Sequence, residues 1–214
     1  MVLRRACLLP FTLLFCGLPP GQDAGAGALG ANVPPATARP AVTVHEDLQY
    51  AEGFAREPRR NRLDLYLPDV RSAAAREGAT KPPLLMFVHG GTWSGGSKDR
   101  YAALGTGFAN AGIACAVINT QQHPFASPPA MVDDCAHALG WLREHGPEYG
   151  FCGDALFLMG HSSGAHLVSC LALDGERLRA AGVPRRAVRG AIGLSGIYDV
   201  RPRHALGRPD TTSV

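Results

Sequence analysis

The twelve residues LFLMGHSSGAHL, Leu156 to Leu167, constrain the fold of this chain more than any other segment. Four apolar residues lead into Gly160-His161-Ser162-Ser163-Gly164, which fits G-x-S-x-G with a strand pattern before it and a helix pattern, Ser163 to Leu173, after it. A strand that turns so abruptly into a helix holds its central residue on a strained bend. The residues two before and two after must be small for the elements to approach. The bend lifts the Ser162 hydroxyl above the sheet edge, at a helix N-terminus whose dipole favours developing negative charge. Ser162 is therefore the candidate nucleophile, Gly160 and Gly164 make room for it, and Ser163 serves through its backbone N–H.

Other segments supply a sheet for that bend. Leu63, Leu65 and Leu67 alternate in a half-buried strand closed by Pro68. Continuous apolar runs at Leu84–Val88, Ile113–Ile118 and Ala155–Met159 read as strands buried on both faces, and Ala187–Gly196 holds one more. Helical spacing falls between them, over Asp99–Ala111 and Pro129–His145. Strands alternating with helices predict an α/β fold, a mostly parallel sheet with helices on both faces. In such sheets reactive groups gather at the carboxyl ends of strands.

One such end is FVHGGTWSGGSKDRY, Phe87 to Tyr101. Glycines just past a strand let backbone N–H groups face a cleft without side-chain obstruction. Acyl transfer needs donors of this kind for its oxyanion, so Gly90 and Gly91, with Ser163, are assigned to an oxyanion hole. His89 reads as a brace for the loop, and Trp93 either as a lining of the cleft or, by preference, as a plug against the core. Together HGGTWSGGSKD, GHSSGAHL and LSGIYDV resemble the α/β-hydrolase superfamily, and within it the branch of kynurenine formamidases, feruloyl-type carboxylesterases and prenylcysteine methylesterases. The similarity runs from about Arg62 to Val200. It implies a serine hydrolase of small-molecule carboxylic esters, acting through an acyl-enzyme on Ser162 with no cofactor; arylformamidase-type amide hydrolysis is the neighbouring activity. The chain departs from that branch at NTQQHP, Asn119 to Pro124, where relatives commonly carry an N-Y-R-like segment.

A serine hydroxyl needs a base to take its proton and a carboxylate to orient the base. In the resembling families these follow a seventh and an eighth strand, both beyond S-G-x-Y-D. Fifty residues follow Gly164, and their tail shows no strand pattern. Asp199 and His204 have the right order, but Asp199 lies where relatives hold a non-triad aspartate, and His204 lies in an Arg/Pro-rich tail of this chain. His161 should point away from Ser162, and His166 reads as a satisfied helix histidine. His123 reads as a loop residue, His137 as a helix-face residue, and His45 and His145 as surface residues. Asp133 and Asp134 open a helix where the dipole favours them, and Asp154 sits in a turn. The expectation is roughly two-thirds to three-quarters of a hydrolase domain, against about 200–250 residues for such folds. It lacks the last strands and helices and the triad Asp and His. A sheet edge and apolar faces are then left uncovered. A non-catalytic, hydrolase-like binding protein is the second reading.

Residues 1–20 carry Arg4 and Arg5 before an apolar stretch, Ala6 to Leu18, too short to span a bilayer. That order reads as a secretory signal peptide with cleavage between 17 and 28; a lipoprotein at Cys16 is disfavoured by the bulky Phe15. Residues 21–44 read as a low-complexity linker, and 45–214 as the partial hydrolase domain. Secretion would remove Cys7 and Cys16, leaving Cys115, Cys135, Cys152 and Cys170 for two disulfides, or with Cys115 and Cys170 as buried free thiols among apolar neighbours. No Cys/His spacing fits a metal, and a formal charge of +3 without a basic run argues against nucleic acid. Oligomeric state has no sequence signal.

Overall fold

A computed structural model describes residues 42–52, 57–69 and 81–199. Positions 1–41, with Cys7 and Cys16, and the tail bearing His204 lie outside the described residues.

Apolar runs become central strands. β3 (Leu84–Val88) and β4 (Ala114–Ile118) are buried at every position and pair in parallel. On the other side of β3 lie β5 (Leu156–His161) and then β6 (Val188–Leu194), both parallel to their neighbours. β2 (Arg62–Leu67) pairs antiparallel with β4, and β1 (Thr43–Gln49) antiparallel with β2, giving the order β1-β2-β4-β3-β5-β6. The sheet is thus mixed, with a parallel centre. β1 has no counterpart among the strands read from sequence. It is a mostly polar, part-exposed edge, and it starts at Thr43, inside the stretch read as linker.

Alternation along β3 explains the layers. Leu84, Met86 and Val88 join one core with α2 (Pro128–Tyr149), α3 (Ser163–Leu173) and α4 (Gly175–Ala180). Leu85 and Phe87 join a smaller core under α1 (Ala102–Asn110), which follows a 3₁₀ turn at Lys98–Tyr101. Helices therefore cover both faces. α2 passes the expected end at His145 and carries Pro147 inside it before Gly150, at φ 81, closes it. α4 was not anticipated; Asp174 caps it by accepting from Arg177 N–H at 2.9 Å.

All four described cysteines are free, so the disulfide alternative is not realised. Cys115 and Cys135 are buried, and burial pushes the Cys115 thiol up to about 12, which makes it an inert packing residue.

Candidate active site

The bend after β5 has the backbone its glycines require. Ser162 sits at φ 53, ψ −119, outside the strand and helix regions, between the last residue of β5 and the first of α3. Its N–H donates to Leu194 O at 2.8 Å, which ties the bend to the end of β6. A Cβ on Gly164 would lie 2.2 Å from Val88 O and 2.4 Å from His89 O, and one on Gly160 would lie 2.4 Å from the Gly164 carbonyl. Only glycine lets β3, β5 and the first turn of α3 converge here. Ser163 is buried, and its N–H, first in α3, has no acceptor within the helix.

The loop after β3 comes to the same point. A Cβ on Gly90 would be 3.0 Å from Ser162 Cβ and 2.9 Å from His161 Nδ1, so the backbone there lies directly against the serine. His89 is buried, and its Nδ1 donates to Gly90 O at 2.9 Å, which fixes the tautomer because a carbonyl can only accept. Burial holds the His89 pKa below its ordinary value, so the ring stays neutral near pH 7. Fixing the Gly90 carbonyl also aims the Gly91 N–H the opposite way, since the peptide is planar and trans. Gly91 (φ 141), Thr92 (φ 50) and Trp93 (φ 60) then curl the loop tightly.

Trp93 packs half-buried on the main core, with its ring edge-on to His166 at 5.5 Å between centroids. A space of about 10 Å³ remains among His89, Trp93, Gln122 and Ser163, too small for a substrate. A separate hollow of about 700 Å³ between Tyr50, Trp141 and Gly182 contains none of these site residues.

The other candidates disperse. His166 is less satisfied than expected: Nε2 faces Cys170 Sγ at 3.6 Å, while Nδ1 is buried without a partner. Burial also lowers its pKa. Asp133 pairs with Arg177 at 2.6 Å and Asp154 with Arg143 at 3.0 Å. His45 packs against Tyr149, and His145 stacks on Trp141. Asp199 is exposed at the end of the last described segment. Among the described residues, no histidine hydrogen-bonds to Ser162, and no cluster of three side chains could hold a metal. No described helix is long and apolar enough to cross a membrane.

Sequence reasoning missed a clamp on the far end of the glycine loop. Gln122 Nε2 donates to Gly95 O at 2.7 Å and Gly96 O at 3.0 Å, and Arg60 donates to Gly96 O at 2.9 Å. Gln122 belongs to the NTQQHP segment, so departure from the usual pattern was its one signal.

The sequence pattern of the BD-FAE family matches residues 63–201. A probable isoprenylcysteine α-carbonyl methylesterase of Arabidopsis thaliana is 36% identical over 148 residues, 66% of this chain and 29% of that protein. Esterase LipQ of Mycobacterium tuberculosis is 31% identical, over 72% of this chain and 35% of its own length. The crystal structure of an inhibited esterase B from Lactobacillus rhamnosis superposes with a TM-score of 0.54 at 25% identity, covering 71% of this chain and 46% of that one. The chain thus spans about a third of the length of these curated relatives. Its central sheet, its bend at Ser162 and these likenesses agree: the chain belongs to the BD-FAE family, in the carboxylesterase-type branch of the α/β-hydrolases.

Proposed function

We propose that this protein is a carboxylic ester hydrolase that works through an acyl-enzyme on Ser162. The observation that carries the reading is the Ser162 backbone, φ 53 and ψ −119, with the Gly90 backbone against its side chain. Ser162 Oγ attacks the ester carbonyl carbon, and the carbonyl electron pair moves onto oxygen. Gly90, Gly91 and Ser163 N–H groups receive that charge, which develops only as the tetrahedral species forms. A histidine base takes the Ser162 proton and returns it to the departing alkoxide; water then attacks the acyl-enzyme by the same route. No described histidine hydrogen-bonds to Ser162, so we assign the base and its carboxylate to residues outside those described. Export, the reading of residues 1–20, suits small extracellular esters and is checked by N-terminal sequencing of protein recovered from the medium.

The absence of a base at Ser162 among the described residues favours a second reading, a hydrolase-like binding protein. One experiment separates the two. The 214-residue chain, and the longest protein its transcript encodes, are exposed to a fluorophosphonate probe and to p-nitrophenyl acetate. Ester hydrolysis predicts an adduct mapped to Ser162, with labelling and turnover both abolished in Ser162→Ala. A folded protein that takes up no probe in either form would sink the catalytic reading. Turnover lost in His204→Ala would instead place the base within this chain.

A further inference from the structure

The glycine loop is held from a side no oxyanion role requires by itself. Gln122 is buried, and every polar atom of its side chain is engaged. Its two amide hydrogens go to Gly95 O and Gly96 O, and its Oε1 accepts from Arg60 at 2.7 Å. Its backbone N–H donates to Glu57 Oε2 at 2.8 Å, and Glu57 faces the Arg60 guanidinium at 3.5 Å. Arg60 adds its own bond to Gly96 O. The amide can therefore neither rotate nor slide without breaking part-buried bonds.

That grip reaches the oxyanion donors through the loop's own fold. Ser94 and Gly95 N–H groups both donate to Gly91 O, at 3.0 and 2.9 Å. A Cβ on Gly91 would be 2.2 Å from Gly95 O, and a Cβ on Gly96 would be 2.2 Å from Gly90 O. Gly95–Gly96 thus lies in van der Waals contact on Gly90–Gly91, and holding the first pair fixes the peptide planes of the second.

We propose that Gln122, locked by Arg60 and Glu57, is a positioning residue that aims the Gly90 and Gly91 N–H groups at the oxyanion. This rests on the serine-hydrolase reading of the same site. Those donors matter most in the tetrahedral species, so loosening them slows the chemical step and spares ground-state binding.

Gln122→Met keeps the volume and loses all three side-chain bonds. Gln122→Glu keeps the size and strengthens the contact with Arg60, but has no N–H for the two carbonyls. Both are compared with the parent protein in the same two forms, by fluorophosphonate inactivation resolved into kinact and KI, and by amide hydrogen exchange. The expected result is a loss of about 10–100-fold in kinact with KI within about twofold, somewhat below the loss of a whole oxyanion donor. Exchange should rise at Gly90–Gly96 and stay unchanged in β3 and α3. Gln122→Glu should behave like Gln122→Met, because the carbonyl bonds are what matter. Parental kinact in either variant, or unchanged exchange in the loop, overturns the proposal; so does a general rise in exchange, which would mean a merely structural role. A parent that takes no label overturns the serine reading and the catalytic consequence with it, while loop exchange still decides whether the clamp exists.

Discussion

Gly164 and Gly107 share a residue type and should respond to the same substitution in opposite directions. A Cβ on Gly164 meets two backbone carbonyls that belong to β3 and the loop after it, and neither can yield without moving the sheet. Overpacking of this kind costs about 1–3 kcal/mol, and Gly164→Ala should fall at or above the upper end. Gly107, within α1, has nothing within 4 Å of its added Cβ, so Gly107→Ala should stabilise by about 0.5–1 kcal/mol through helix propensity. Urea unfolding of both variants is the check, and equal stabilities would refute the close convergence at Ser162. The contrast also shows what was legible. Gly160 and Gly164 announce themselves because the residue they serve is two positions away. Gln122 carries only the departure of its segment from the usual pattern, because its acceptors lie 27 and 26 residues earlier and no local spacing records the pairing. His166 misled for a related reason: helix position placed it correctly, but the ring contact with Trp93 comes from a distant loop.

At the scale of elements, α2 holds the group that should govern stability near neutral pH. Asp134 was read as an acidic residue favoured by the start of a helix, yet it is buried and spans to the loop after β4. It accepts from Gln121 N at 2.8 Å and Gln121 Nε2 at 3.1 Å. Burial pushes its carboxyl up to about 7, reinforced by Asp133 and Glu57 and opposed by the Gln121 bonds. The folded pKa is above the unfolded one, so between about pH 4 and 7 the native state holds a proton the unfolded chain has lost. Its stabilising contribution is then complete below pH 4 and fades as pH rises towards 7, by at most about 1.4 kcal/mol per pH unit. Asp134→Asn removes that titration. Its stability relative to the parent should climb from pH 4 to pH 7 and level off above. Parallel unfolding curves at pH 4.5, 6 and 7.5 test this; a constant difference would mean Asp134 ionises normally. The same helix shows why element boundaries were harder to read than elements. Its apolar positions fix its face, while its end at Tyr149 depends on Gly150 adopting a left-handed turn.

For the whole molecule, the central parallel strands were legible because burial on both faces leaves continuous apolar runs. β1 was not, because an exposed edge strand carries no such run. The opposite edge of the sheet has the reverse character. β6 is the last strand among the described residues, yet Ile192 and Leu194 are 46% and 40% exposed. Ile192 also borders a hollow of about 260 Å³ lined by Pro83, Leu85, Phe108, Ile113 and Phe157, with no polar side chain among them. Apolar surface beside an unpaired strand edge invites self-association, and a charge placed there is the ordinary remedy. Ile192→Glu in the 214-residue chain should reduce binding of a hydrophobic dye and shift sedimentation towards monomer. Because the side chain is already half in water, the melting temperature should stay within about 2 °C of the parent, the shift expected for well under 1 kcal/mol. A sharp fall in melting temperature would show that this face is covered in solution, and the hollow would then be part of a packed interface and no longer an exposed surface.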